Sequence, residues 1–199
     1  MKQVPSEYQL DALREIVNTG VGKAAASLNE MLEAHIELQV PSVTLFQLEE
    51  LSAELRDNAE AEIACVQLDF HGSFAGTAAL VFPPASAVQL VATLTGEDPE
   101  APYLDGVMAG TLNEVGNILI NGVVGTIGNI LDRPFEFSVP NYVEGKLDEL
   151  LQQKNPGGEL TVLLIRTRFR VQDRQIEGNI FLVFELGSFG DFFRTLNGL

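Results

Sequence analysis

Asp11, Glu15 and Asn18 stand four and then three residues apart within Asp11–Leu32, DALREIVNTGVGKAAASLNEML. At about 100° per residue they share one side of a helix. Leu10, Leu13, Val17, Val21, Ala24, Leu28 and Met31 form an apolar stripe on the other side. A helix that buries the stripe holds a carboxylate and an amide out to solvent. An amide both donates and accepts hydrogen bonds, so it can orient a water molecule. A carboxylate can hold a cationic side chain of a partner. Such a pair can position water for attack on a phosphoryl group when the partner supplies the metal and the rest of the site, because that catalysis is mostly positioning and electrostatics. The pair has too few donors for a metal site and offers no Ser or Cys nucleophile. The plain alternative is a solvated helix face.

The same residues recur. In Gly110–Leu131, GTLNEVGNILINGVVGTIGNIL, Glu114 and Asn117 again stand three apart. Glu15 to Glu114 and Asn18 to Asn117 are each 99 residues (114 − 15, 117 − 18), and so are Pro41 to Pro140 (140 − 41). The apolar stripe carries over at that offset as Ala109, Leu112, Gly116, Ile120, Val123, Ile127 and Ile130. Glu-x2-Asn-x22-Pro therefore occurs twice in one helical register, which reads as an internal duplication.

Each half repeats one series of elements. Ser6 as N-cap with Gln9 three residues on predicts a helix from there to about Glu33. Gly20 and Gly22 interrupt it and suggest close backbone approach or eased helix packing; Gly22 lies on the Glu15/Asn18 side. A turn at Pro41 and a short strand over Ser42–Phe46 follow, then a polar helix or loop over Gln47–Asn58. Two strands, Glu60–Gly72 and Ser73–Phe82, join at His71-Gly72-Ser73, and a helix over Ala85–Leu94 stops at Gly96. The second half has a long helix over 105–131, a strand near Tyr142-Val143 after Pro140, and a polar segment over Glu144–Lys154. A turn at Asn155–Gly158 leads to strands Leu160–Val171 and Gln175–Leu186 and a closing helix, Ser188–Leu196. Gly96 and Gly198 lie 102 apart (198 − 96), so about three residues were gained after the second proline. Neither half has enough strands to close a core. The expected fold is α+β: one domain of two repeats, about 6–96 and 105–198, with pseudo-two-fold symmetry. About six antiparallel strands would form one sheet, and the two long helices would carry their Glu/Asn faces on the same exposed side.

With 199 residues, 46% hydrophobic and 20% charged, the chain can build a packed core. A net charge of −16 disfavours binding nucleic acid or an anionic membrane and suits a partner with basic residues, or solubility alone. Cys65 is the single cysteine, which rules out an internal disulfide or a multi-cysteine metal site. MKQVPSEYQ has no apolar run of a signal peptide, and no stretch of about 18 apolar residues exists, so the expected place is the cytoplasm without membrane insertion.

The doubled Glu-x2-Asn-x22-Pro pattern, with Asp11 four residues before the first Glu, resembles the CheC family of chemotaxis phosphatases, which includes CheX and part of the flagellar switch protein FliY. The resemblance covers essentially the whole chain. It implies that Glu15/Asn18 and Glu114/Asn117 dock against a phosphorylated CheY-type response regulator, with Asp11, Pro41 and Pro140 as supporting positions. Each Asn would position the attacking water and each Glu would contact a lysine of the regulator. Mg²⁺ would sit in the regulator's own acidic pocket, so this chain needs no cofactor or metal of its own. CheD, a receptor deamidase bound by some family members, is a further implied partner. Gly110 stands where the pattern has Asp or Ser, so only the first copy matches fully and the strength of the second stays open. With the sequence ending at Leu199, a stand-alone CheC-like protein is expected, rather than the flagellar switch protein or the one-site homodimeric CheX.

The competing reading is a non-catalytic adaptor that holds CheD or a phosphorylated regulator on the same face; a structural part of the flagellar switch is a third. Elsewhere, Gly20-Val21-Gly22 lacks the preceding strand and following Lys-Ser/Thr of a phosphate loop. His35 and His71 read as turn or surface residues, and Cys65 as a small buried hydrophobe. Arg166, Arg168 and Arg170 share one strand face, as a solvated face paired to local acids or as a contact for an acidic partner.

Overall fold

The first helix begins where the sequence caps it. In the computed structural model the Ser6 N–H donates to Gln9 Oε1 (2.7 Å) and the Gln9 N–H donates to Ser6 Oγ (3.3 Å), the reciprocal capping box. Gln9 Nε2 also donates to the Phe193 carbonyl (2.8 Å), tying this terminus to the last helix. The structure describes residues 5–32, 35–47, 62–100, 104–146, 149, 161–171, 174–185 and 188–196. The element order is α1 (Glu7–Leu32), β1 (Ile36–Gln47), β2 (Glu62–Gly72), β3 (Gly76–Phe82), α2 (Pro84–Thr95), α3 (Leu104–Ile130), β4 (Phe135–Phe137), β5 (Asn141–Lys146), β6 (Thr161–Val171), β7 (Arg174–Phe184) and α4 (Ser188–Leu196). The polar segments expected over Gln47–Asn58 and Glu144–Lys154, and the turn at Asn155–Gly158, lie largely outside the described residues.

The strands form one antiparallel sheet in the order β1-β6-β7-β3-β2-β4, with β5 also on β2. Seven strands thus fill six positions, because β4 and β5 pair with successive parts of the same edge of β2, residues 70–72 and 62–67. The order is a palindrome under the repeat. Strand β2 and its copy β6 begin and end 99 residues apart (161 − 62, 171 − 72). Strand β1 and the β4–β5 pair do the same (135 − 36, 146 − 47). The offset holds through Val171, so the extra residues of the second half enter after it. The pseudo-two-fold relation passes between the central strands β3 and β7, which pair directly. Each repeat lends its first strand to the other: β1 pairs with β6, and β5 with β2.

The segment around Pro41 is not the expected turn followed by a short strand. It is a twelve-residue strand whose pairing register shifts between Gln39 and Ser42. The chain breaks at the matching place in the second half, between β4 and β5, where Pro140 lies. Proline lacks an N–H to give to a ladder, so an irregularity on an edge strand is where a sheet tolerates it. Both prolines occupy such positions.

The four described helices, α1 to α4, cover one face of the sheet. Leu13, Val17 and Val21 of α1 and Leu112, Leu119 and Val123 of α3 are buried with Leu163, Ile165 and Leu182 of the sheet in one cluster. Leu13 and Leu112, equivalent in the repeats, are fully buried, and each such side chain contributes about 2–3 kcal/mol. The stripe ends before the helices do: Met31 and Ile130, also equivalent, are exposed rather than in the core. Cys65, Val81, Val162, Leu164, Phe181 and Val183 form a second cluster on the opposite face. Helices α1 and α3 approach each other closely at their glycines. A Cβ on Gly20 would lie 2.8 Å from Val123 Cα, and one on Gly122 would lie 2.7 Å from Ala24 Cβ. No helix among the described residues is long and apolar enough to cross a membrane.

Candidate functional site

Two rows of side chains project from the outer layer. On α1, Tyr8, Asp11, Glu15, Asn18 and Gly22 recur at spacings of three and four, and all five are exposed. On α3 the equivalent row is Val107, Gly110, Glu114, Asn117 and Asn121; the first three are exposed and the two asparagines half-buried. The rows face solvent because their helices bury the opposite stripe on the sheet, as the periodicity required. Tyr8 and Val107, 99 apart (107 − 8), are among the few large apolar side chains left exposed, at 66% and 39%. Each therefore leaves apolar surface at the N-terminal end of its Glu/Asn row. Sequence reasoning passed over both, although their positions in the helical register and their shared offset were legible.

The rows differ in how their polar groups are engaged. Asp11 accepts from Arg14 Nη1 at 2.8 Å, an exposed pair one turn apart. Such a pair is worth at most a few tenths of a kcal/mol and leaves Asp11 able to exchange partners. Arg14 has no counterpart: Asn113 stands at its position, with Gly110 in place of Asp11. The hydroxyl of Thr19 donates back to the Glu15 carbonyl (2.9 Å), so it stays with the helix backbone. At the second row, Asn121 Nδ2 donates to Asn117 Oδ1 at 2.8 Å. The position of Asn121 in the first row is Gly22, where a Cβ would meet nothing within 4 Å. Of the two glycines singled out by sequence, then, Gly20 serves the helix crossing and Gly22 leaves open space beside Asn18.

Among the described residues, no three His, Cys, Asp or Glu side chains converge as a metal site. A Glu and an Asn one turn apart supply fewer oxygens than Mg²⁺ takes. What each row offers is an exposed carboxylate, an amide and an apolar end on a rigid helix.

A family model described as "Chemotaxis phosphatase CheX" matches residues 64–159, and one described as "CheC-like family" matches residues 9–45. The CheY-P phosphatase CheC of Bacillus subtilis is 25% identical over 198 residues, spanning 96% of this chain and 94% of that one. The chain belongs to the CheC/CheX chemotaxis family. Two solved structures share the family's fold. That of Thermotoga maritima FliY superposes with a TM-score of 0.76 at 17% identity, covering 98% of this chain and 99% of that one. That of CheX from Desulfovibrio desulfuricans superposes with a TM-score of 0.56 at 15% identity, covering 86% and 99%. The CheC-like match holds Glu15 and Asn18, and the CheX match holds Glu114 and Asn117.

The remaining residues take simpler places. His35 and His71 are exposed, and His35 lies 3.5 Å from Glu37. Arg168 pairs with Glu177 (3.4 Å) and Arg170 with Glu37 (3.8 Å), so this face is a surface of partly satisfied charges. Burial pushes the Cys65 thiol up to about 12 from its ordinary 9.0, which keeps it neutral and unreactive.

Proposed function

We propose that this CheC/CheX family member hydrolyses the aspartyl phosphate of a CheY-type response regulator. The observation that carries the reading is the Glu/Asn pair in the same helical register on both long helices of a duplicated fold, with Glu15, Asn18 and Glu114 exposed and Asn117 half-buried. In this reading the row enters the regulator's phosphorylation pocket. Glu15 or Glu114 engages a lysine there, and Tyr8 or Val107 adds apolar contact. Asn18 or Asn117 orients one water in line with the phosphorus. The water oxygen bonds to phosphorus and the bond to the aspartyl oxygen breaks, giving inorganic phosphate and the free carboxylate. Mg²⁺, held in the regulator's own pocket, would neutralise charge on the phosphoryl oxygens. This chain supplies position and polarity, which suffices because the phosphorylated regulator already carries the reactive bond.

The test is the decay of a phosphorylated CheY-type protein in Mg²⁺, with and without the chain. Asn18→Ala, Asn117→Ala and the double substitution are measured beside it. The expected result is faster decay with wild type and a drop on the order of 10²-fold in the double variant, the scale of losing a positioned hydrogen-bonding group. Binding of the regulator or of CheD without faster decay would overturn the reading in favour of a non-catalytic adaptor.

A further inference from the structure

We infer that Asn121 is a positioning residue that restrains the second centre, so that the two Glu/Asn pairs work at different rates. This rests on the phosphatase reading and goes beyond it. The Asn121 amide nitrogen donates to Asn117 Oδ1 at 2.8 Å. An amide oxygen has two lone pairs, and one is occupied by this bond. A water that attacks phosphorus must keep a lone pair for the phosphorus and donate its hydrogens elsewhere. The acceptor it needs from the asparagine is Oδ1, so the Asn121 bond leaves the water one lone pair, in the direction the tether allows.

The tether also fixes where the Asn117 amide points. Asn121 Oδ1 is buried and has no hydrogen-bond partner. Its side chain is therefore seated inward, and Asn117 is the member that must break away when a partner docks. The first centre lacks the restraint altogether. Gly22 occupies the position of Asn121, open space lies beside it, and the exposed Asn18 side chain has no hydrogen-bond partner among the described residues. The duplication supplies an internal comparison: the two rows also differ at Tyr8/Val107 and Asp11/Gly110, but Gly22/Asn121 is the difference one turn after the asparagine, so exchanging that position alone isolates it.

Reciprocal exchange tests this. In an Asn18→Ala background only the second centre works. There Asn121→Gly is expected to raise kcat roughly 2- to 10-fold, the rate equivalent of one net intramolecular hydrogen bond, with KM for the phosphorylated regulator unchanged. Asn121→Ala removes the donor while keeping a good helix former, and is expected to give the same gain. In an Asn117→Ala background only the first centre works, and Gly22→Asn is expected to lower kcat by a similar factor. A structural role for Asn121 would give losses and no gain. If wild type accelerates decay but the Asn121 variants leave kcat unchanged or lower it, the inference is overturned and the phosphatase reading stands. If wild type does not accelerate decay, both fall.

Discussion

Two glycines two residues apart on α1 should respond to alanine in opposite directions. In a helix interior, Gly→Ala is worth about 1 kcal/mol through backbone entropy. At Gly22 nothing lies within 4 Å of the new Cβ, so Gly22→Ala should stabilise the protein by about that amount. At Gly20 the same Cβ would lie 2.8 Å from Val123 Cα and 2.9 Å from the Gly122 carbonyl oxygen. Both are backbone atoms of α3, so no side chain can swing away. Restoring ordinary contact requires α1 and α3 to separate by about half an ångström or more, and overpacking against backbone falls in the upper part of the usual range, about 2–3 kcal/mol. Net of the entropic gain, Gly20→Ala should destabilise by about 1–2 kcal/mol, leaving the two variants about 2–3 kcal/mol apart. For a chain of 199 residues that separates their melting temperatures by roughly 4–12 °C. Urea unfolding followed by far-ultraviolet circular dichroism reads the difference as opposite shifts of the midpoint at constant slope. A Gly20→Ala protein as stable as wild type, or two variants shifting the same way, would refute the close helix crossing.

The remaining predictions concern the thiol and the apolar ends of the rows. Cys65 keeps its proton in the folded state to about pH 12, while the unfolded chain releases it near 9.0. The contribution of the neutral thiol is thus fully present below pH 9 and lost as pH rises through that window. Unfolding should become easier by up to about 1.4 kcal/mol per pH unit between those values. Denaturant melts of wild type and Cys65→Ala at pH 8 and 10 measure this, and an equal pH dependence in both would contradict it. Tyr8→Ala and Val107→Ala should raise KM for the phosphorylated regulator by about fivefold each in single-centre backgrounds, near 1 kcal/mol of contact energy, with kcat little changed. An unchanged KM would remove these side chains from the docking surface.

The CheC/CheX family fold was legible in the sequence wherever a local rule and the repeat said the same thing. Ser6 and Gln9 capped the first helix as their spacing requires, and Gly96 adopts the left-handed conformation (φ 73°) that stops α2. Helical periodicity put Glu15, Asn18 and Glu114 on the outer surface and Leu13 and Leu112 inside. The stretch around Pro41 misled because proline marks a turn locally, whereas an edge strand with a register shift absorbs it at no ladder cost. That position is an edge only because β1 pairs with β6 of the other repeat, a contact that no local pattern encodes.

The sequence by itself thus determined the duplication, the helices, the polar rows and the family, because these follow from spacing along one chain. The tertiary structure decided what depends on atoms distant in sequence or on side-chain rotamers. It assigned Gly20 to a helix crossing and Gly22 to open surface, although both look alike as helix glycines. It exchanged the first strands between the repeats. It also joined Asn121 to Asn117, so that two copies of one motif differ in their hydrogen bonding. Periodicity names the face of a helix, but only packing says what meets that face.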